Sequence, residues 1–438
     1  MPKYTKKNRP PRSTTSKPAR PGGIAGVDDD MAVDDAASIC SNVSDATSIY
    51  DDTDAAAAST TNDVILSSEN LEEKLDSAIE GLRNKDLKTR ESSLRTLQVL
   101  FSQKYLPDLV ADRSENLTEQ LIACLKKGNE SEGKLAAIVS TLFYTQLGEP
   151  NDEGFQQFRD ALLPVLRDEA KSASLRTSYA QAIGMICFIS SEDIASTVEL
   201  MKSLEVIFSK SYLLPDGTTP IIARNLQELH TAALASWCFL LSTMPNNHAH
   251  DLVRLYAPEK IPGLIESSDA DLRNQAGETI AVLYEIAQEI NSIFAEPPES
   301  LLNILDKKVN ESVKYKGKKE KRLQRATFRE IFNFFTEGTS PEFTIKFGRE
   351  VLEVSSWTGR LYYNGFSGLL GTGMNVHLKE NGFLRSVFNL DDTETEEGQK
   401  AKGNRFERQQ ANKAAFKLRT QALKKTRANK VIRIQPDE

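Results

Sequence analysis

The side chains able to do covalent chemistry are few in this 438-residue chain, and their spacing argues against it. Histidine occurs four times, at His230, His248, His250 and His377. His248 and His250, with Asp251, lie in a polar stretch that reads as a loop and could hold a metal. No cysteine or third histidine stands in register with them, so no metal site is assigned. Gly368-Leu-Leu-Gly371-Thr-Gly373 has the outline of a phosphate-cradling loop but lacks the Gly-Lys-Ser/Thr that such a loop needs, and it reads as a turn. The glycines and serine of Gly365-Phe-Ser367-Gly368 miss the spacing of a nucleophile elbow by one position. With no constellation that meets the geometric needs of catalysis, the chain reads as a non-enzyme, without cofactor or small-molecule substrate. Cys40, Cys124, Cys187 and Cys238 stand far apart with no C-x-x-C pair, which suggests reduced intracellular thiols rather than a disulfide framework or a zinc centre.

What remains is ionic chemistry, concentrated near the C-terminus. Between Lys400 and Arg433 twelve Lys or Arg residues face one acid, Glu407, a balance of +11. If the segment is helical from Arg405 to Lys430 it extends about 39 Å. At about 100° per residue, Lys413, Lys417 and Lys424 fall within about 20° of Phe406, with Lys425 at about 100°. Arg408, Arg419 and Lys430 fall at about 200–240° and Arg427 at about 300°. Phe406, Phe416, Leu418 and Leu423 share no face. A membrane-surface or calmodulin-binding helix needs one apolar and one basic face, which this segment lacks. A rod charged on every side suits a groove or channel of structured RNA, or else stays disordered until it binds.

The rest of the chain must position that rod. The net charge of −7 hides a partition: residues 55–306 carry 21 bases against 37 acids, while 307–329 carry ten against two. Residues 1–62, rich in Pro, Ser, Thr, Asp and Ala, read as a disordered tail. Within it Ser41–Asp52 sets hydroxyls beside acids, which suits acid-directed phosphorylation or simply a solvated tail. Neither a secretory signal nor a run of eighteen apolar residues is present, so a soluble protein is expected.

Residues 63–306 show apolar positions at helical spacing. Ser68, Ser114 and Ser191 stand where N-caps are expected. Five segments begin alike, and their leucines, Leu87, Leu135, Leu175, Leu229 and Leu272, are 48, 40, 54 and 43 residues apart. That fits armadillo or HEAT units, with Ala136, Ala180, Ala233 and Ala276 allowing close stacking; an irregular helical bundle is the alternative. Residues 307–325 form a basic connector, readable as linker, nuclear localisation signal or polyanion contact, with Lys316, Lys318, Lys319, Lys321 and Arg322 as a secondary basic contact.

A small α+β domain follows over 326–390. It opens on a short helix, Ala326–Phe335, and then a hairpin around Gly348-Arg349, with Phe343, Ile345, Phe347, either Val351 or Leu352, and Val354 on its inner face. Trp237 reads as core, and Trp357 as core or stacking platform. An acidic, Gly-punctuated hinge (391–402), the basic helix (403–433) and a short tail (434–438) complete the order. The fold class is mainly α: an armadillo/HEAT-like solenoid, then the small domain and the basic helix.

Three ordered stretches, RLQRATFREIFNFFTEGTSPEFTIKFGREVLEVSSW from Arg322, LLGTGMNVHLKENGFLRSVFNL from Leu369 and NRFERQQANKAAFKLRTQALKKTR from Asn404, resemble the interferon-related developmental regulators, as a fungal-type member. The chain departs from animal members in its N-terminal tail and acidic hinge. The resemblance implies a non-enzymatic protein with a helical-repeat body. It implies one of two roles: a ribosome-associated factor that occupies translationally inactive ribosomes, with a C-terminal helix in the tRNA and mRNA path, or a transcriptional co-regulator acting through deacetylase co-repressors. In the first role the RNA contacts carried over by position are Arg405, Arg408, Lys413, Lys417, Arg419, Lys424, Lys425, Arg427 and Lys430, with Phe406 and Phe416 stacking or packing. The partner is then the ribosome, through rRNA and ribosomal proteins of the small subunit, in the cytoplasm; the second role adds co-repressor proteins and the nucleus.

Overall fold

The computed structural model describes residues 70–290, 296–310 and 318–390, the side chains of 318–323 excepted. The expected N-terminal tail, the hinge and the basic helix lie outside the described residues.

Helix starts are set by short polar side chains. The first helix, α1 (Leu71–Gly81), is capped by Asn70, whose side chain accepts the Glu73 N–H. Asp86 caps α2 (Leu87–Gln103) in the same way through Thr89. After the short α3 (Pro107–Ala111) and α4 (Ser114–Lys127) comes α5 (Glu130–Leu147), capped by Asn129. Then follow α6 (Asp152–Arg167), α7 (Ala173–Ser190) and α8 (Ile194–Phe208). Two of the three serine caps expected from sequence are displaced. Ser114 is the first helical residue of α4 with no side-chain cap, and α8 starts three residues after Ser191, where Asp193 accepts the N–H groups of Ala195 and Ser196. A carboxylate serves both orphan donors and complements the helix dipole, so it outcompetes a nearby hydroxyl. Ser68 lies outside the described residues.

The array continues with α9 (Arg224–Leu241), α10 (Asn246–Tyr256), α11 (Lys260–Leu264), α12 (Ala270–Ile290), α13 (Glu299–Asn310) and α14 (Lys318–Glu337). Helices α2, α5, α7, α9, α12 and α14 pack in succession, each flanked by an outer partner, α1, α4, α6, α8, α11 and α13. This is a helical-repeat solenoid. The five leucine-led segments are the inner helices α2 to α12. Leu135, Leu175, Leu229 and Leu272 are buried, and Ala136, Ala180, Ala233 and Ala276 are fully so. Small residues do set the spacing: a Cβ on Gly184 of α7 would lie 2.6 Å from Ser236 Cβ of α9, whose hydroxyl donates to the Ala180 carbonyl at 2.9 Å.

Helix α14 is longer than its sequence suggests. It starts at Lys318, within the stretch read as a connector, and 307–310 already belong to α13. Phe328 and Ile331 are fully buried, packed where Gly277 of α12 leaves room, and Gln324 accepts from Arg273 at 2.9 Å. The helix therefore closes the repeat array instead of opening the small domain. Lys, Glu, Arg and Gln are all good helix formers, so a charge run need not be a break.

The hairpin forms as expected: β1 (Phe343–Phe347) pairs antiparallel with β2 (Glu350–Val354), Phe347 opposite Glu350. The two-residue turn needs Gly348 at φ 61°. The register resolves the inner face: Leu352 and Val354 are buried, and Val351 is exposed. The chain then forms α15 (Trp357–Leu370), a 3₁₀ turn (Gly371–Gly373), α16 (Met374–Glu380) and α17 (Gly382–Val387). One hydrophobic cluster runs from Leu75 to Leu384, so these elements share the core of the solenoid.

Candidate nucleic-acid interface

The basic segment lies outside the described residues, which end at Leu390, so the geometry that matters is that of the C-terminal elements preceding it. The foot of this platform is at α12. Both carboxylate oxygens of Glu285 serve the start of α15, accepting the backbone N–H groups of Trp357 and Thr358 at 2.8 Å each and the Thr358 hydroxyl at 2.8 Å. Ser356 adds a cap through the Gly359 N–H at 2.9 Å. Arg360 pairs with Glu330 at 2.5 Å and with Glu278 at 3.9 Å, its guanidinium 5.5 Å from the Trp357 ring centroid. Burial raises the Glu278 carboxyl pKa, partly opposed by Arg360. Trp357 is 1% exposed and is core, not a stacking platform.

From this foot α15 crosses the C-terminal ends of the inner helices. Phe188 of α7 and Phe239 of α9, 4.6 Å apart, receive Tyr362, Phe366 and Phe383. The Tyr362 hydroxyl donates to Ser242 Oγ at 3.0 Å. Gly373 lets the backbone touch α2: a Cβ there would sit 1.7 Å from the Ser102 carbonyl oxygen.

The last carbonyls of any helix lack intrahelical partners. Here α16 and its neighbours supply them. Gln146 Nε2 donates to the carbonyls of Phe101 at 2.7 Å and Lys104 at 2.6 Å, while its Oε1 accepts from the Leu106 N–H at 2.7 Å. His377 Nε2 lies 3.0 Å from the Phe101 oxygen. A carbonyl only accepts, so Nε2 carries the proton and Nδ1 is bare. Asn381 completes the set: Nδ2 donates to the Thr145 carbonyl at 2.8 Å and approaches His377 Nδ1 at 3.3 Å, while Oδ1 caps α17 by accepting the Leu384 N–H at 3.2 Å. Asn381→Ala strands a buried carbonyl and a helix end, and should lower unfolding free energy by about 2–3 kcal/mol, read from the urea midpoint.

This arrangement has a pH signature. Burial is the main cause that lowers the His377 pKa to about 4, and His230, bonded to Ser211 at 2.7 Å, is lowered to about 4 for the same reason. In the unfolded chain both titrate at about 6.5. Above that value neither state binds the proton, so the full stability is present. As pH falls from about 6.5 towards 4 only the unfolded state takes up protons, and stability is lost. At pH 5 each histidine should cost about 2 kcal/mol relative to pH 7. A His230→Gln, His377→Gln double variant should show a much flatter urea midpoint between pH 7 and 5 than the parent.

The remaining sequence candidates fall as follows. His248 and His250 are on helix α10, not on a loop, and two residues apart on a helix they point about 200° away from each other. Among the described residues no group of three His, Cys, Asp or Glu is placed to hold a metal, and no helix is long and apolar enough to cross a membrane. Gly368–Gly373 is the end of α15 and its 3₁₀ turn. Cys124, Cys187 and Cys238 are free and buried, and burial raises their thiols to about 12, 11 and 12. Trp237 is core. Lys318, Lys319, Lys321 and Arg322 lie in the first turns of α14, while Lys316 and every candidate from Arg405 to Lys430, Phe406 and Phe416 included, are outside the described residues. Sequence reasoning missed the polar pins Gln146, His377 and Asn381 and the cap Glu285. Only the i, i+4 spacing of His377 and Asn381 offered a signal.

The family model of the interferon-related developmental regulators (IFRD) matches residues 36–336, ending one residue short of the end of α14. A second, the interferon-related protein conserved region, matches 381–430, from the pin residue Asn381 through the basic segment. The chain belongs to the interferon-related developmental regulator family. It is 35% identical to interferon-related developmental regulator 2 of Mus musculus over 366 residues, 82% of each chain. To interferon-related developmental regulator 1 of Homo sapiens it is also 35% identical, over 82% of this chain and 81% of that protein. As an IFRD protein it carries its two matched regions on opposite sides of 337–380, the hairpin and α15 that dock one to the other.

Proposed function

We propose that this IFRD protein is a non-enzymatic ribosome-binding regulator. Its basic segment, Gly403–Arg433, occupies the mRNA/tRNA channel of translationally inactive ribosomes and represses translation by steric exclusion. The observation that carries this reading is the segment itself: a helical wheel drawn through it has bases on every face, within a stretch that the second family region covers to residue 430. Only surroundings anionic on several sides neutralise such a rod, and rRNA is the polyanion that forms channels. The partners are rRNA and ribosomal proteins of the small subunit, and the working location is the cytoplasm.

The other reading makes the chain a nuclear scaffold whose inner helices hold co-repressor proteins. It is weakened by one set of packing interactions: the aromatic surface offered by Phe188 and Phe239 is already filled by the chain's own Tyr362, Phe366 and Phe383. Cell fractionation separates the two. Expected is co-migration with ribosomal subunits in sucrose gradients and absence from deacetylase pull-downs; the reverse distribution would support the scaffold.

A further inference from the structure

Charge is distributed unevenly between the two edges of the repeat array. At the C-terminal ends of the inner helices, around α3 to α8, stand Asp108, Asp112, Glu149, Asp152, Glu153, Glu192 and Asp193, against Lys104 and Arg113. Arg113 is taken up by Asp76 at 2.5 Å and Glu72 at 2.7 Å. That edge repels a polyanion. The opposite edge, formed by the N-terminal ends of α2, α5 and α7, is different.

We propose that this second edge, marked by Lys85, Lys88, Lys126, Lys127 and Lys171, is a phosphate-backbone contact for RNA, separate from the C-terminal segment. The proposal rests on the reading that the partner is RNA.

Hydrogen bonds and close packing make the edge continuous. Arg90 donates through Nη1 to the carbonyls of Asn84 and Lys85 at 3.0 Å each, and through Nε and Nη2 to Glu132 at 2.6 and 2.9 Å. Gly128, which follows Lys126 and Lys127, lies against the Glu132 side chain. Glu130, on the next turn of chain, is held below the usual carboxyl range by the neighbouring Ser172 and Lys134, which places Lys171 alongside. Most acids of this edge are engaged, the exposed Glu80, which lines one groove with Lys88, excepted. Glu132 is buried on Arg90, Glu130 is paired with Lys134 at 3.2 Å, and Glu169 is paired with Lys210. Asp86 serves the Thr89 amide and hydroxyl, and Asp168 the Ala170 amide. The five lysines are exposed and have no ion-pair partner among the described residues.

Lysine ammonium groups on flexible stems act as point charges towards phosphate, and the positive ends of three inner-helix dipoles point the same way. Two edges separated by the length of α5, about 27 Å, then divide the work: the basic segment binds through its own charges, while the lysine edge grips backbone elsewhere on the same RNA. Two linked binding sites raise the effective concentration of each for the other.

The test uses the full-length chain and isolated small ribosomal subunits, with affinity measured from 50 to 200 mM KCl. One variant carries Lys→Gln at 85, 88, 126, 127 and 171. A charge-matched control carries K202Q, R254Q, K346Q, R349Q and K379Q, all exposed positions elsewhere. A third replaces the nine bases from Arg405 to Lys430 by Gln. Circular dichroism and thermal midpoints check folding; exposed substitutions of this kind should leave both nearly unchanged. The edge variant should bind at least about tenfold more weakly at 150 mM than the control, its salt slope reduced by about 0.7–0.9 for each phosphate it no longer neutralises. An edge variant indistinguishable from the control, while the tail variant loses slope, overturns the edge and leaves the ribosome reading standing. Failure of the unmodified chain to bind subunits even at 50 mM KCl overturns both.

Discussion

Ending the chain at Lys402 should lower its affinity for ribosomal particles by about a thousandfold or more at 50 mM salt and flatten its salt dependence. The nine bases named as RNA-binding, Arg405 to Lys430, each release about 0.7 of a counterion on a single strand and about 0.9 on a duplex when they meet a phosphate. Full engagement therefore predicts a slope of log K against log salt steeper by about 6–8 than that of the truncated chain. Equilibrium co-sedimentation across a KCl series measures it directly. Because the segment carries bases on all sides, no single substitution should dominate: Arg419→Gln alone should cost about one unit of slope and little else. A truncated chain with unchanged affinity and slope would sink the channel mechanism.

The second large effect lies in the platform. Trp357→Ala removes a fully buried ring that packs edge-on against Phe334, centroids 6.0 Å apart, and under the Arg360 guanidinium. Loss of a buried tryptophan costs about 3–5 kcal/mol. Most of that should appear as loosening of α15 to α17 from the array, because Trp357 sits where α15 is clamped by Glu285. Hydrogen exchange should therefore show amides of 357–387 losing protection before those of α5 and α7. Equal loss throughout would mean that platform and solenoid unfold as one unit. On ribosomal particles the same variant should weaken binding less than truncation does, since the bases are all retained and only their mounting is loosened.

Much of this molecule is legible in local patterns. Periodicity marks the inner helices by their opening leucines and buried alanines. Alternation around Gly348-Arg349 marks the hairpin, since a two-residue turn fixes its register. The two periods are 3.6 and 2 residues. Helix α14 is less legible because its first turns are a charge run, and charge reports solvent exposure more directly than backbone conformation. Serine is a poor guide to the caps because several short polar residues compete for each helix start. The cap is an asparagine at α1 and α5, an aspartate at α2 and α8, and a serine at α7 and α15.

Residue type and spacing are enough to specify the family, the helical-repeat class, the division of charge along the chain and the cationic segment after residue 402, because each is a property of neighbours in sequence. Folding was needed to bring Glu285, His377 and Asn381 into place as clamps between the C-terminal helices and the solenoid, to set Gln146 against the end of α2, and to gather five lysines from three chain segments on one edge. Those arrangements join residues as far apart as Thr145 and Asn381, and no local pattern encodes which distant helix end will be left with an unsatisfied carbonyl.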